Sequence, residues 1–179
     1  MRIASFAALL AAAGCRAAPP PPAEITAAAL QYRSYGRVDE TSRWAPTDCR
    51  APAPGPARIS QSRDPETHGR KLYYLFARNR DAYLHASDLE QPPGQVIVKQ
   101  SWHPAAGSTF VRPVTGLPGP LFVMAKTEGP EGDGGWIYAT ATPDGKTITA
   151  WGKLASCMEC HEQAPQDRMF GLRTCAGAK

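Results

Sequence analysis

Trp136-Ile137-Tyr138-Ala139-Thr140-Ala141-Thr142-Pro143-Asp144-Gly145-Lys146-Thr147-Ile148-Thr149-Ala150-Trp151-Gly152-Lys153 reads as one β-hairpin and decides the fold class. Trp136, Tyr138, Thr140 and Thr142 alternate with Ile137, Ala139 and Ala141, the period of two that sends successive side chains to opposite faces of a sheet. Pro143-Asp144-Gly145 supplies the turn between the arms. Thr147, Thr149 and Trp151 continue the alternation on the return strand. β-branched and aromatic residues suit such a pleated, half-buried surface.

Upstream, Pro120 to Thr127 predicts another strand, with Leu121, Val123 and Ala125 opposite Phe122 and Met124. Gln95 to Trp102 predicts a third, entered through the turn Pro92-Pro93-Gly94. Lys71-Leu72-Tyr73-Tyr74-Leu75-Phe76-Ala77 is ambiguous by periodicity, but its length and aromatic content favour a buried strand. Asn79 to His85 reads as a short helical turn, and Ala23 to Tyr35 as a helix with a weak 3.6 period through Ile25, Ala29, Leu30 and Arg33. Trp44 to Ala57, rich in proline, reads as an irregular wrap. The expected fold is mainly β (α+β): an antiparallel sheet with a few peripheral helices.

The 179 residues fit one domain. Hydrophobic residues are 42% of the chain and charged residues 20%, enough for a core and against wholesale disorder. The net charge of +4 is dispersed over 20 basic and 16 acidic residues without a basic block, so composition gives no sign of a nucleic-acid partner. With 18 prolines and 16 glycines, a coiled coil and a multispan membrane protein are also excluded.

Met1-Arg2 followed by the apolar run Ile3 to Ala13 has the form of an export signal, too short for a bilayer span of about 20 residues. Ala12-Ala13-Gly14-Cys15 resembles a bacterial lipobox, which makes Cys15 a candidate for lipidation; ordinary cleavage near Ala17-Ala18 is the alternative. Pro19 to Pro22 reads as a stiff spacer. The expected organisation is a signal over 1–15, a spacer over 16–24 and one domain over 25–179, in the periplasm or cell envelope on a lipid anchor.

Cys157-Met158-Glu159-Cys160-His161 is C-x-x-C-H, the attachment signature of haem c. The two thiols add to the haem vinyl groups as thioethers, and the adjacent imidazole of His161 becomes an iron ligand. A thioredoxin-like pair does not require His161, and a zinc site lacks a second ligand pair in the sequence. Covalent haem attached outside the cytoplasm also agrees with export, so the domain is expected to pack one haem c near its C-terminal helix. Of the five cysteines, Cys49 and Cys175 are left over, either bridged in an oxidising compartment or as two thiols.

The opposite side of the iron decides function, because a sixth ligand gives an electron carrier and an open position gives gas binding or catalysis. Met158 and Met169 stand in or beside the motif, Met124 falls in a strand, and His68, His85 and His103 have solvated contexts. No sixth ligand is nominated.

From Lys71 to Leu172 the chain resembles the cytochrome P-460 family, which includes the cytochromes c′-β. The likeness rests on Gly94 to Trp102, Leu121 to Lys126, Gly134 to Tyr138, Pro143 to Gly145 and Ser156 to His161, in matching order. Trp44-Ala45-Pro46 and Thr67 to Lys71 are similar to a longer subgroup. The resemblance implies a mainly antiparallel β fold, often dimeric, with a five-coordinate haem c on His161. It implies oxidation of hydroxylamine, or binding of nitric oxide, with electrons leaving to another cytochrome. Family members that oxidise hydroxylamine carry a lysine bonded to the haem edge, which points to Lys99, and less to Lys71 or Lys126. An exposed strand lysine is the other reading of Lys99. Phe76, Phe110 and Phe122 become candidates for an apolar cap, and Glu128 and Glu131, in a Gly-rich loop, for proton relay. A plain periplasmic electron carrier and a non-haem lipoprotein are the competing readings.

Overall fold

The computed structural model describes residues 19–38, 58–59, 69, 71–85, 90–104, 116–129, 132–164 and 166–170. A sheet organises them. Strands β3 (Leu72–Ala77), β4 (Val96–Pro104), β5 (Gly116–Lys126), β6 (Trp136–Ala141) and β7 (Ile148–Gly152) follow one another as antiparallel neighbours. The two-residue strands β1 (Gly36–Arg37) and β2 (Arg58–Ile59) lie along the outer edge of β3. Around the sheet are α1 (Ala23–Gln31), continued by a 3₁₀ turn at Tyr32–Ser34, then α2 (Arg80–Leu84) and α3 (Ala155–His161). The mainly antiparallel fold expected from the alternating patterns is the one observed. Among the described residues, no helix is long and apolar enough to cross a membrane. The segment Trp44 to Ala57 lies outside the described residues.

Alternation along the strands gives the sheet two buried faces. On one, Val96, Val98, Leu121, Val123, Ala125, Ala139 and Ala141 pack under α1 through Ile25, Ala28, Ala29 and Tyr32. On the other, Ala77, Ile97, Met124, Trp136 and Tyr138 pack against Tyr83 and Leu84 of α2, Met169, and Leu154, Cys157 and Met158 around α3. The C-x-x-C-H helix therefore sits on the face opposite α1.

Two β-bulges depart from the sequence pattern. Gln100 pairs with Leu121 and Trp102 with Pro118, so β5 carries an extra residue at Gly119-Pro120. Ser101 Oγ donates to the Pro120 carbonyl at 2.6 Å, and a Cβ on Gly119 would stand 2.6 Å from that hydroxyl oxygen. The bulge accommodates prolines that would otherwise interrupt pairing, and β5 starts at Gly116 rather than at Pro120. In β7, Thr140 pairs with Ala150 and Ala141 with Ile148, leaving Thr149 as the extra residue. Trp151 therefore packs on the α1 face beside Ala139, opposite Trp136 and Tyr138, and the unbroken alternation expected on the return strand does not hold.

Candidate haem site

α3 places Cys157 and Cys160 one turn apart on the same side of a helix, with His161 immediately after them. Its first turn is fixed by the Cys157 and Met158 amides, which donate to the Leu154 carbonyl at 2.9 and 3.0 Å. Neither cysteine is in a disulfide; Cys157 is half-buried and Cys160 exposed. Burial pushes the Cys157 thiol above its ordinary pKa.

His161 donates from Nδ1 to the Arg168 carbonyl at 2.7 Å. A carbonyl can only accept, so the proton is on Nδ1 and the lone pair on Nε2, the nitrogen able to ligate a metal. Burial holds the imidazole below its usual pKa; the bond to Arg168 opposes that and the charge of Lys99 adds to it. The ring lies 5.5 Å from Tyr138 and 5.6 Å from Phe170, centroid to centroid.

The Arg168 carbonyl belongs to a turn with an uncommon backbone. Asp167 and Arg168 have φ of 45° and 61°, the left-handed region that side chains other than glycine rarely occupy. Their own side chains hold them there. Asp167 accepts from Lys126 Nζ at 2.5 Å, Gln91 N at 2.7 Å and Trp136 Nε1 at 3.1 Å. Arg168 reaches Asp133 through Nε at 2.9 Å and through its terminal nitrogen at 2.8 Å, and Tyr138 Oη donates to Asp133 at 2.8 Å. Burial alone would raise the Asp133 carboxyl, but the bonds from Arg168 and Tyr138 outweigh it and hold the group below the usual carboxylate range.

Lys99 lies on the strand crossing this region. It pairs with Leu75 on one side and Phe122 on the other, and shares its face of β4 with Ile97 of the α3-side cluster. Its ammonium is 4.3 Å from the Tyr73 ring centroid. Burial lowers its pKa to about 8, with the charge of Cys160 opposing that shift. Lys99 is thus a half-buried amine on the face of the motif, in electrostatic reach of Cys160 and His161, and not the exposed strand lysine of the alternative reading. Lys126 is committed to Asp167 and the Gly134 carbonyl. Lys71 is buried, 6.0 Å from the Phe122 ring centroid. Of the aromatic candidates, Phe122 is on the motif side, whereas Phe76 packs edge-on against Tyr32 at 5.1 Å in the α1-side core and cannot cap this site.

Met169 and Met124 are buried in the α3-side core, with Met158 packed against it. His103 and Glu128 are exposed, and His85 turns Nδ1 to the Asp81 carbonyl at 2.8 Å. Cys15, Cys49, Cys175, Glu131, His68 and Phe110 lie outside the described residues. Among the described residues, no three His, Cys, Asp or Glu side chains cluster as a metal cage.

Asp133, Asp167, Arg168 and Tyr138 were not singled out from the sequence. The one available signal was the glycine-rich turn Gly132-Asp133-Gly134-Gly135, where three positive-φ glycines flank a buried aspartate.

An antiparallel sheet carrying a C-x-x-C-H helix against one face defines a class of β-sheet haem proteins. The model of the Cytochrome P460 family matches residues 57–170, and the chain belongs to that family of haem-binding cytochromes. A comparison with curated proteins returned no match.

Proposed function

We propose that the protein is an exported monohaem c-type cytochrome whose iron, ligated by His161, offers its other side to a small nitrogen compound, hydroxylamine or nitric oxide. The single observation that carries the reading is the Nδ1 hydrogen bond to Arg168, which leaves Nε2 of the C-x-x-C-H histidine as the ligating nitrogen. The residues fit the group: two thiols outside any disulfide on one helix turn, an imidazole of fixed tautomer beside them, and a sheet face bearing Lys99 and Phe122.

In this reading Cys157 and Cys160 would hold the haem covalently and His161 would supply a nitrogen to the iron. The bound haem would supply one-electron redox chemistry and a position for a small ligand. A haem held there would have Lys99 on the same sheet face. With a pKa of about 8, about a tenth of the Lys99 amine is neutral at pH 7, more than an ordinary lysine provides to a nucleophilic or hydrogen-bonding role. Electrons would leave singly to another cytochrome. The apolar run before Cys15 serves export, with Cys15 as the lipid anchor, and two copies associate as a homodimer.

The test is an absorption spectrum of the ferrous protein, produced with the c-type maturation machinery, with and without carbon monoxide or nitric oxide. A high-spin band that shifts on gas addition is expected. A strongly red-shifted, broad ferrous band would mark a haem bond to Lys99, and Lys99→Ala would then abolish it. A sharp low-spin spectrum indifferent to gas would overturn the open-site reading and leave an electron carrier. Turnover of hydroxylamine with an electron acceptor separates catalysis from gas binding.

A further inference from the structure

The turn at Asp167-Arg168 is held in a costly conformation by side chains that reach far up the chain. Two successive non-glycine residues at positive φ are strained, and such strain persists only where the surroundings over-determine it. Glycine would adopt the same backbone without that cost. What glycine cannot supply is the guanidinium that locks onto Asp133 or the carboxylate that takes Lys126, Trp136 and Gln91. The product of the arrangement is one carbonyl, that of Arg168, set 2.7 Å from His161 Nδ1. Asp133 also accepts from Tyr138, whose ring lies against the imidazole, so one carboxylate steadies both the hydrogen-bond partner and a packing partner of His161.

We propose that Asp133 is a positioning residue for His161: through Arg168 and Tyr138 it sets the hydrogen bond on Nδ1, and thereby how strongly His161 donates to the iron. The inference rests on the reading of His161 as the haem ligand. A strong bond from Nδ1 gives the imidazole more anionic character, which favours ferric iron and strengthens the iron–histidine bond. Losing the grip on Arg168 has the reverse effect.

The test compares holoprotein variants Asp133→Asn and Arg168→Met by midpoint potential and by the iron–histidine stretching frequency of the ferrous form. The substitutions remove opposite charges. If the pair acted on the iron only as charges, Asp133→Asn would raise the potential and Arg168→Met would lower it. The positioning role predicts that both raise it, and that both lower the stretching frequency. Opposite potential shifts with an unchanged frequency would overturn the proposal. Should Asp133→Asn fail to assemble, Arg168→Met alone still decides, because the two accounts give it opposite signs. Wild-type protein without covalent haem, or a His161→Ala holoprotein with unaltered iron ligation, would overturn the haem reading itself and the proposal with it.

Discussion

His161 is fixed by groups of different kinds: a carbonyl on Nδ1, a tyrosine ring against one side and a phenylalanine ring against another. Behind them stands the Asp133–Arg168 pair, whose carboxylate is almost fully buried and whose guanidinium is part-exposed. Removing one partner of such a pair leaves donors unmet, so Asp133→Asn should destabilise the holoprotein by about 2 kcal/mol at pH 7. The pH dependence follows from the sign of the shift. Asp133 titrates below its ordinary value of 3.8, so its contribution is complete above about pH 4 and is lost as pH falls through the lower folded value. Denaturant unfolding of wild type and variant should therefore show a gap at pH 7 that closes on acidification; a gap independent of pH would contradict this account of the pair. At Lys99 the expectation is spectroscopic. Replacing the amine by Ala should change the ferrous absorption band, because the side chain lies on the face carrying α3 and within electrostatic reach of the motif.

The strands were legible at the scale of the element, and the departures have identifiable causes. Leu121, Val123 and Ala125 do face α1 while Met124 faces α3, since a period of two admits no other arrangement once both faces are buried. The bulges at Gly119-Pro120 and Thr149 were not legible, because an extra residue in one strand shows only against its partner. C-x-x-C-H stood out because its spacing is the one that thioether attachment of haem would require. Asp133 and Arg168 did not, because their meeting is made by tertiary structure between a loop before β6 and the turn after α3. A further prediction belongs to the β6–β7 hairpin. Gly145 has φ of +75°, and a Cβ there would stand 2.1 Å from the Ala29 carbonyl of α1. Gly145→Ala should lower stability by about 2 to 4 kcal/mol, combining left-handed strain with a backbone collision. A melting temperature unchanged from wild type would show that the turn does not bear on α1.

For the whole molecule, the family segment begins at residue 57, yet one of the two buried faces is closed by α1, which precedes it. Ile25, Ala28, Ala29 and Tyr32 are each at most 1% exposed. Arg78 ties the same helix to the sheet through Glu24 at 2.6 Å, a part-exposed pair worth under about 1 kcal/mol, so apolar burial supplies most of the attachment. A chain starting at residue 57 should therefore fail to give a cooperative unfolding transition, whereas one starting at residue 19 should keep it. The α1 side closes one apolar face of the sheet, and the other side presents Lys99, Phe122 and Tyr138 toward the helix that bears Cys157, Cys160 and His161. The proposed function requires that this helix carry one covalent haem. Its most direct test is the intact mass of the denatured protein after expression with the c-type maturation machinery. The expected mass is that of the processed polypeptide plus one haem, with that increment lost in the Cys157→Ala, Cys160→Ala double variant. A chain mass without haem, or an increment that survives in the double variant, would contradict it.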